Sequence, residues 1–171
     1  MGYYKDQEKT KEAITQDGWL KTGDVGMLLP GSNALKVIDR RKNIFKLQQG
    51  EYVAAEKVEA IYSKSPLVAE SFIHGESDQN FALAIVVPNK DELLKLAAKH
   101  KISGSYEEIC KNKALREVVV KELDVVGKQA GLMSFEQAKN IVFEPENFQV
   151  RGILSSTMKL QRFAAKKYYE K

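Results

Sequence analysis

Apolar residues change their spacing along this chain, and each change predicts a different element. Residues 1–16 are polar and charged, and "DQEKTKEAI" predicts a short surface helix capped near Asp6. Two strand-like runs follow, "GWLKTGDVGMLL" and "ALKVIDR". The turn signal "PGSN" between them predicts a β-hairpin. "NIFKLQQGEYVA" predicts two short strands around Gly50, and the next segment, "AEKVEAIYSK", repeats Val58, Ile61 and Tyr62 at helical spacing before Pro66 stops it. "LVAESFIH" and "FALAIVVP" read as a strand pair joined through "GESDQN", whose Gly, Ser, Asp and Asn suit a turn.

Helical spacing then takes over. "KDELLKLAAKH" places Leu93, Leu94, Leu96 and Ala97 on one broad side, and "YEEICKNKALREVVVKELDVVGKQAG" predicts one longer amphipathic helix ended by Gly131. "AKNIVFEP" predicts a strand leading to "ENFQV" and the stretch "GILSSTMKLQR", where Ser155, Ser156 and Thr157 stand just before Lys159. This last stretch reads as a flexible loop. There is no internal repeat and no low-complexity tract. The pattern as a whole is α+β: a small mixed α/β domain with a short hairpin and a roughly three-stranded sheet, preceded by a β-hairpin strip.

Composition narrows the class. A chain of 171 residues, 43% apolar, with 4 prolines fits one ordinary domain with a small appendage. No run approaches a membrane span and the opening residues lack a signal-peptide pattern, so a soluble, intracellular chain is expected. Cys110 cannot form an internal disulfide and has no metal-ligand spacing with His74 or His100, which makes a reducing compartment and a structural role the expectation. The net charge of +4 is small and its acids and bases are interspersed, giving no argument for nucleic acid. The densest basic cluster, "KLQRFAAKKYYEK", reads as a frayed, solvated helical end. Peripheral membrane contact through Phe163, Tyr168 and Tyr169 is the alternative.

Three motifs, "DGWLKTGDVG", "VIDRRKNIFKLQQGEYVAAEKVE" and "LSSTMKLQR", occur here in an order and spacing that resemble the end of acyl-CoA synthetases of the adenylate-forming (AMP-binding) superfamily. "KLQQGEYVAAEKVE", "IHGES" and "TMKLQR" resemble the long-chain fatty acid branch in particular. The resemblance implies a C-terminal portion of a long-chain fatty acid–CoA ligase, which uses ATP, coenzyme A and Mg2+. Residues 1–41 would end the large N-terminal domain and 42–171 would form a mobile lid, with the hinge at Lys42. It also implies that the phosphate loop, the fatty acid tunnel and the magnesium site lie in the N-terminal domain, so that the fragment by itself is inactive and residues 17–38 expose apolar surface.

Site residues follow from the same resemblance. Asp24 of "TGD" would accept hydrogen bonds from both ribose hydroxyls of ATP, since a carboxylate can take two donors at once; as a residue type it equally suits a turn cap. Arg40 would approach the ribose or the phosphates with its fixed fork of donors; a surface ion pair is the other reading. Lys159 would stabilise the charge that builds when a fatty acid carboxylate meets the α-phosphate, yielding acyl-adenylate and pyrophosphate. Lys46 and Gly50 would lie on the coenzyme A channel, Gly50 by leaving room; a plain strand-turn glycine is the other reading. Family members commonly have proline in the segment occupied here by Ala54 and Ala55, and Thr-Pro where this chain has Ser155 and Ser156, so looser turns are expected at both places. The resemblance implies fatty acid, ATP and coenzyme A as partners together with the enzyme's own N-terminal domain, in a setting that is cytoplasmic or associated with membranes such as the endoplasmic reticulum or peroxisome. A luciferase-like or amino-acid-activating enzyme would keep the three motifs, whereas a stand-alone basic binding module would leave "TGD" and "DRRK" without a role.

Overall fold

A computed structural model describes residues 2–170. Two compact units partition the chain, Met1–Lys42 and Asn43–Lys171.

The first unit opens with helix α1 (Gln7–Ala13), capped by the Asp6 carboxylate, which accepts from the Lys9 amide at 2.9 Å. None of its residues is buried. Strands β1 (Asp24–Leu28) and β2 (Leu35–Arg40) then pair antiparallel, with a bulge between Val25 and Gly26. A hairpin of two strands has nothing of its own to cover both faces. Trp19, Leu20, Leu28, Leu35 and Val37 are accordingly exposed, Trp19 at 74%, so the apolar surface expected on residues 17–38 is present.

In the second unit, β3 (Ile44–Lys46) and β4 (Tyr52–Ala54) form a short antiparallel hairpin that feeds directly into helix α2 (Ala55–Tyr62). A three-stranded sheet follows, built from β5 (Val68–His74), β6 (Leu83–Pro88) and β7 (Asn140–Phe143) in that order. β5 and β6 are antiparallel, as a short turn requires. β6 and β7 are parallel, and a parallel pair needs a crossover. Helices α3 (Lys90–Lys99), α4 (Tyr106–Lys111) and α5 (Lys113–Gln129) supply it. Helix α6 (Arg162–Tyr169) closes the fold.

The period of two along the strands divides the interior. Cross-strand partners Ile73, Ala84 and Ile141 face the larger core with Val58, Tyr62, Leu115 and Val119 of α2 and α5. Phe72 and Val87 face the smaller core, where Phe148, Ile153 and Ala165 of α6 lie with the partly buried Ile85. Each fully buried aliphatic side chain contributes roughly 1.5–3 kcal/mol.

Two expectations are corrected. The predicted single helix from Tyr106 is broken at Asn112, whose backbone is extended (ψ 117°) and whose side chain accepts from the Leu115 amide at 3.0 Å, starting α5 afresh. The amphipathic spacing runs through the break, which is why periodicity misses it. The basic C-terminal segment is not a frayed end: Ala165 is fully buried, Lys166 pairs with Glu76 at 2.6 Å, and the Tyr169 hydroxyl donates to the buried Glu144 at 3.2 Å. Lys171, the last residue of that segment, lies outside the described residues.

Polar groups tie these layers at chosen points. The buried Tyr62 hydroxyl accepts from the Ala138 amide at 3.0 Å, joining α2 to the segment before β7. Glu59 of α2 accepts from the Ile73 amide at 2.8 Å and from the Arg162 guanidinium. Burial pushes the Glu59 carboxyl up to about 7, against the opposing pull of Arg162 and the Ile73 amide.

Two outcomes follow from these ties. Tyr62→Phe leaves the buried Ala138 amide without its acceptor and is expected to cost about 1–3 kcal/mol in a denaturant titration. Glu59 binds its proton more tightly when folded than when unfolded, so between about pH 4.5 and 7 the unfolded chain holds fewer protons. The contribution of this group is therefore complete at low pH and lost as pH rises to about 7, an effect on the order of 1–3 kcal/mol. Stability measured from pH 4.5 to 8 in Glu59→Gln should lack this decline, and an unchanged slope would contradict the shift.

Candidate functional site

The first unit gathers its candidate residues at the open end of the β1–β2 hairpin. Asp24 and Arg40 are cross-strand partners, and register sets them side by side with Arg40 Nε 3.5 Å from Asp24 Oδ1. The Asp24 amide donates to the Thr22 hydroxyl at 3.2 Å, and the Arg41 amide to the Gly23 carbonyl at 2.9 Å, which close the strand ends. Beside them lies a groove of about 530 Å³ lined by Tyr3, Lys21, Thr22, Arg40, Arg41 and Lys42 among others. Its basic lining suits an anion with hydroxyl groups nearby, since cations meet phosphate charge while a carboxylate takes hydroxyl donors. Lys42 is exposed and is the last residue of this unit.

In the second unit, Lys46 and Gly50 share the β3–β4 hairpin. Lys46 ends β3 with its ammonium 5.7 Å from the Tyr52 ring centroid. Gly50 sits at φ +95° in the turn that the Leu47 amide closes onto the Glu51 carbonyl at 2.8 Å. A Cβ there would meet nothing within 4 Å, so it is the left-handed backbone, rather than crowding, that demands glycine.

Lys159 stands on a second hairpin-like turn. Leu154 bridges Leu160, the Ser155 amide donates to the Lys159 carbonyl at 2.8 Å, and the Gln161 amide to the Ile153 carbonyl at 2.9 Å. The hydroxyls close the turn from inside: Ser155 Oγ accepts from the Lys159 amide at 3.1 Å and lies 3.0 Å from Thr157 Oγ1. Met158 occupies the left-handed region at φ +60°, a conformation costing on the order of 1–3 kcal/mol that these bonds hold in place. The stretch that reads as a flexible loop is thus a hydrogen-bonded turn. The Lys159 side chain is exposed, and among the described residues no carboxylate lies within ion-pair distance of it.

Sequence reasoning missed Glu59 and Arg162 although both stand inside quoted motifs. The available signal was the helical spacing of α2, which sets Glu59 four residues after Ala55 and three before Tyr62, both buried. A carboxylate on a buried face needs a cation. Arg162 provides it; the two side chains are 17% and 15% exposed.

His74, Glu76 and Glu170 form the one cluster of three ligating side chains among the described residues. Lys166 already lies between the two carboxylates, 2.6 Å from Glu76 and 3.3 Å from Glu170, and with His74 it holds the Glu76 carboxyl below its ordinary range. A site carrying an ammonium and an imidazole does not fit Mg2+, which takes oxygen ligands in near-octahedral array.

Known proteins resemble this chain along nearly all of its length. Residues 57–128 match the AMP-binding enzyme C-terminal domain family. Over 99% of the chain, long-chain-fatty-acid–CoA ligase 5 of Mus musculus is 48% identical, and so is long-chain-fatty-acid–CoA ligase 1 of Homo sapiens. The peroxisomal long chain acyl-CoA synthetase 6 of Arabidopsis thaliana is 45% identical over 98% of it. The chain spans about a quarter of the length of these curated relatives, 25%, 24% and 24% respectively. Among solved structures, the adenylation domain of a carboxylate reductase from Mycobacterium chelonae superposes with a TM-score of 0.83 at 39% identity, over 99% of this chain and 24% of that one. Over nearly its whole length, then, the chain is similar to about one quarter of the length of long-chain fatty acid–CoA ligases, and residues 57–128 match the AMP-binding enzyme C-terminal domain family.

Proposed function

We propose that this chain is the C-terminal part of an AMP-forming long-chain fatty acid–CoA ligase and contributes Lys159 to its first half-reaction. The observation that carries this reading is an unpaired lysine presented on a hydrogen-bonded turn, in a chain 48% identical to such ligases over 99% of its length. In that step a fatty acid carboxylate oxygen attacks the α-phosphorus of ATP. The bond to the bridging oxygen breaks, pyrophosphate leaves with the electron pair, and acyl-adenylate forms. The two anions must meet, negative charge builds on the α-phosphate oxygens, and the Lys159 ammonium on its long stem offsets it.

Asp24 receives the ribose hydroxyls of ATP in this reading, and Arg40 beside it faces the ribose or phosphates. Lys42 serves as the hinge, supported by the division of the chain between Lys42 and Asn43. After rotation, the thiolate of coenzyme A attacks the acyl carbonyl, the bond to the phosphate oxygen breaks, and AMP departs. Lys46 and Gly50 border the pantetheine channel in that state. Mg2+, where the reaction uses it, is held by other parts of the enzyme. The enzyme works inside the cell; no described helix is long and apolar enough to cross a membrane, and Phe163 and Tyr168 on α6 are exposed to meet a membrane surface.

The likeness to the adenylation domain of a carboxylate reductase favours a second reading in which adenylation is kept and free coenzyme A is not the acceptor. Free coenzyme A as the acceptor separates the two. In the full-length enzyme, Lys159→Ala is expected to slow acyl-adenylate formation from ATP and palmitate by about 10²-fold or more. Thioester formation from supplied palmitoyl-adenylate and coenzyme A should stay within a few-fold of the parent. Untouched adenylation would refute the role of Lys159, and failure of free coenzyme A as acceptor would refute the ligase reading.

A further inference from the structure

The geometry points to the Arg162–Glu59 pair as the positioning device of the Lys159 turn, holding its direction relative to the sheet; this rests on Lys159 being the adenylation lysine. The turn projects from a very short ladder, with the Leu154–Leu160 bridge and the flanking bonds Ser155 to Lys159 and Gln161 to Ile153 as its rungs. A two-stranded ladder of this length does not fix its own orientation. Arg162 comes immediately after it, three residues beyond Lys159.

Its guanidinium donates to Glu59 and to the Ile73 carbonyl at 3.3 Å, and lies 5.7 Å from the Phe72 ring centroid. Glu59 in turn accepts from the Ile73 amide at 2.8 Å, so α2 and β5 are gripped together at the foot of the ladder. Stability does not call for such a pair. A largely buried ion pair is often no better than well-packed apolar side chains. Helix α6 has other anchors besides, in buried Ala165, the Lys166–Glu76 pair and the Tyr169–Glu144 bond. Apolar packing lacks direction, whereas a planar fork with acceptors at set angles has it. For a lysine that must bridge two anions, displacement by about 1 Å costs on the order of 10²-fold in rate.

The test pairs two readouts in the full-length enzyme. Arg162→Met combined with Glu59→Gln removes both charges and keeps a side-chain oxygen as acceptor for the Ile73 amide, so the fold is expected to survive. Amide exchange at Ser155 and Lys159 should quicken. Adenylation kcat from ATP and palmitate should fall by about 10- to 100-fold, with KM for ATP within a few-fold and thioesterification from supplied palmitoyl-adenylate retained. Arg162→Lys keeps the charge but not the fork and should show the same split between half-reactions in smaller measure, which keeps the idea testable if the double variant does not fold. Parental exchange rates at the turn in the folded variant overturn positioning whatever the activity does. Faster exchange with parental adenylation overturns it as well. Lys159→Ala in the same assay separates the two failures: if it too leaves adenylation unchanged, the reading of Lys159 is what has failed.

Discussion

The Glu59–Arg162 pair ties α2 and β5 to the start of α6, and the C-terminal part of the second unit is arranged around that tie. Glu59 is largely out of water, and its cation comes from Arg162, far along the chain. Satisfying it draws the C-terminal helix onto β5, places Ala165 in the smaller core, and leaves the Lys159 turn standing immediately before the point of attachment. The chemistry of the turn is thereby joined to the packing of the sheet through one guanidinium.

The sheet serves two masters because its pleat does. Odd and even positions of β5 and β6 enter separate cores, one under α2 and α5, the other under α6 and the segment around Phe148. The larger core is a conventional helix-on-sheet layer. The smaller is completed by residues on both sides of the Lys159 turn, Ile153 before it and Ala165 after it. A motif that carries chemistry and a motif that carries packing thus occupy the same dozen or so residues.

Much of this was legible in the order of residues. Hairpins announced themselves through "PGSN" and Gly50, where Gly31, Asn33 and Gly50 take a left-handed backbone that few residue types admit, and through the turn-forming residue types of "GESDQN". Asp24 and Arg40 were named separately, and register made them neighbours. What escaped was non-periodic or distant. Asn112 breaks a helix without breaking its amphipathic spacing, since its effect is a side-chain bond to Leu115 rather than a change of hydrophobicity. Glu59 and Arg162 meet only through the tertiary fold, and nothing local signals the partner. The order within "SSTMK" was also hidden: in what looks like a solvated loop, the Ser155 hydroxyl accepts from the Lys159 amide and pairs with the Thr157 hydroxyl, while Met158 takes its left-handed conformation.

The parallel pairing of β7 with β6 bears on how such a chain is made. β5 and β6 are neighbours in sequence and can zip as soon as both exist. β7 must wait for α3, α4 and α5 to be synthesised and laid down, because its partner edge is separated from it by the whole crossover. Contacts of such long sequence separation carry a loop-closure cost before any return, so they form late. During translation the β6 edge, with Ile85 and Val86 unpaired on that side, stays open for the time the ribosome needs to add those helices. The interval is a window for mispairing, and its length is written into the topology rather than into any single residue.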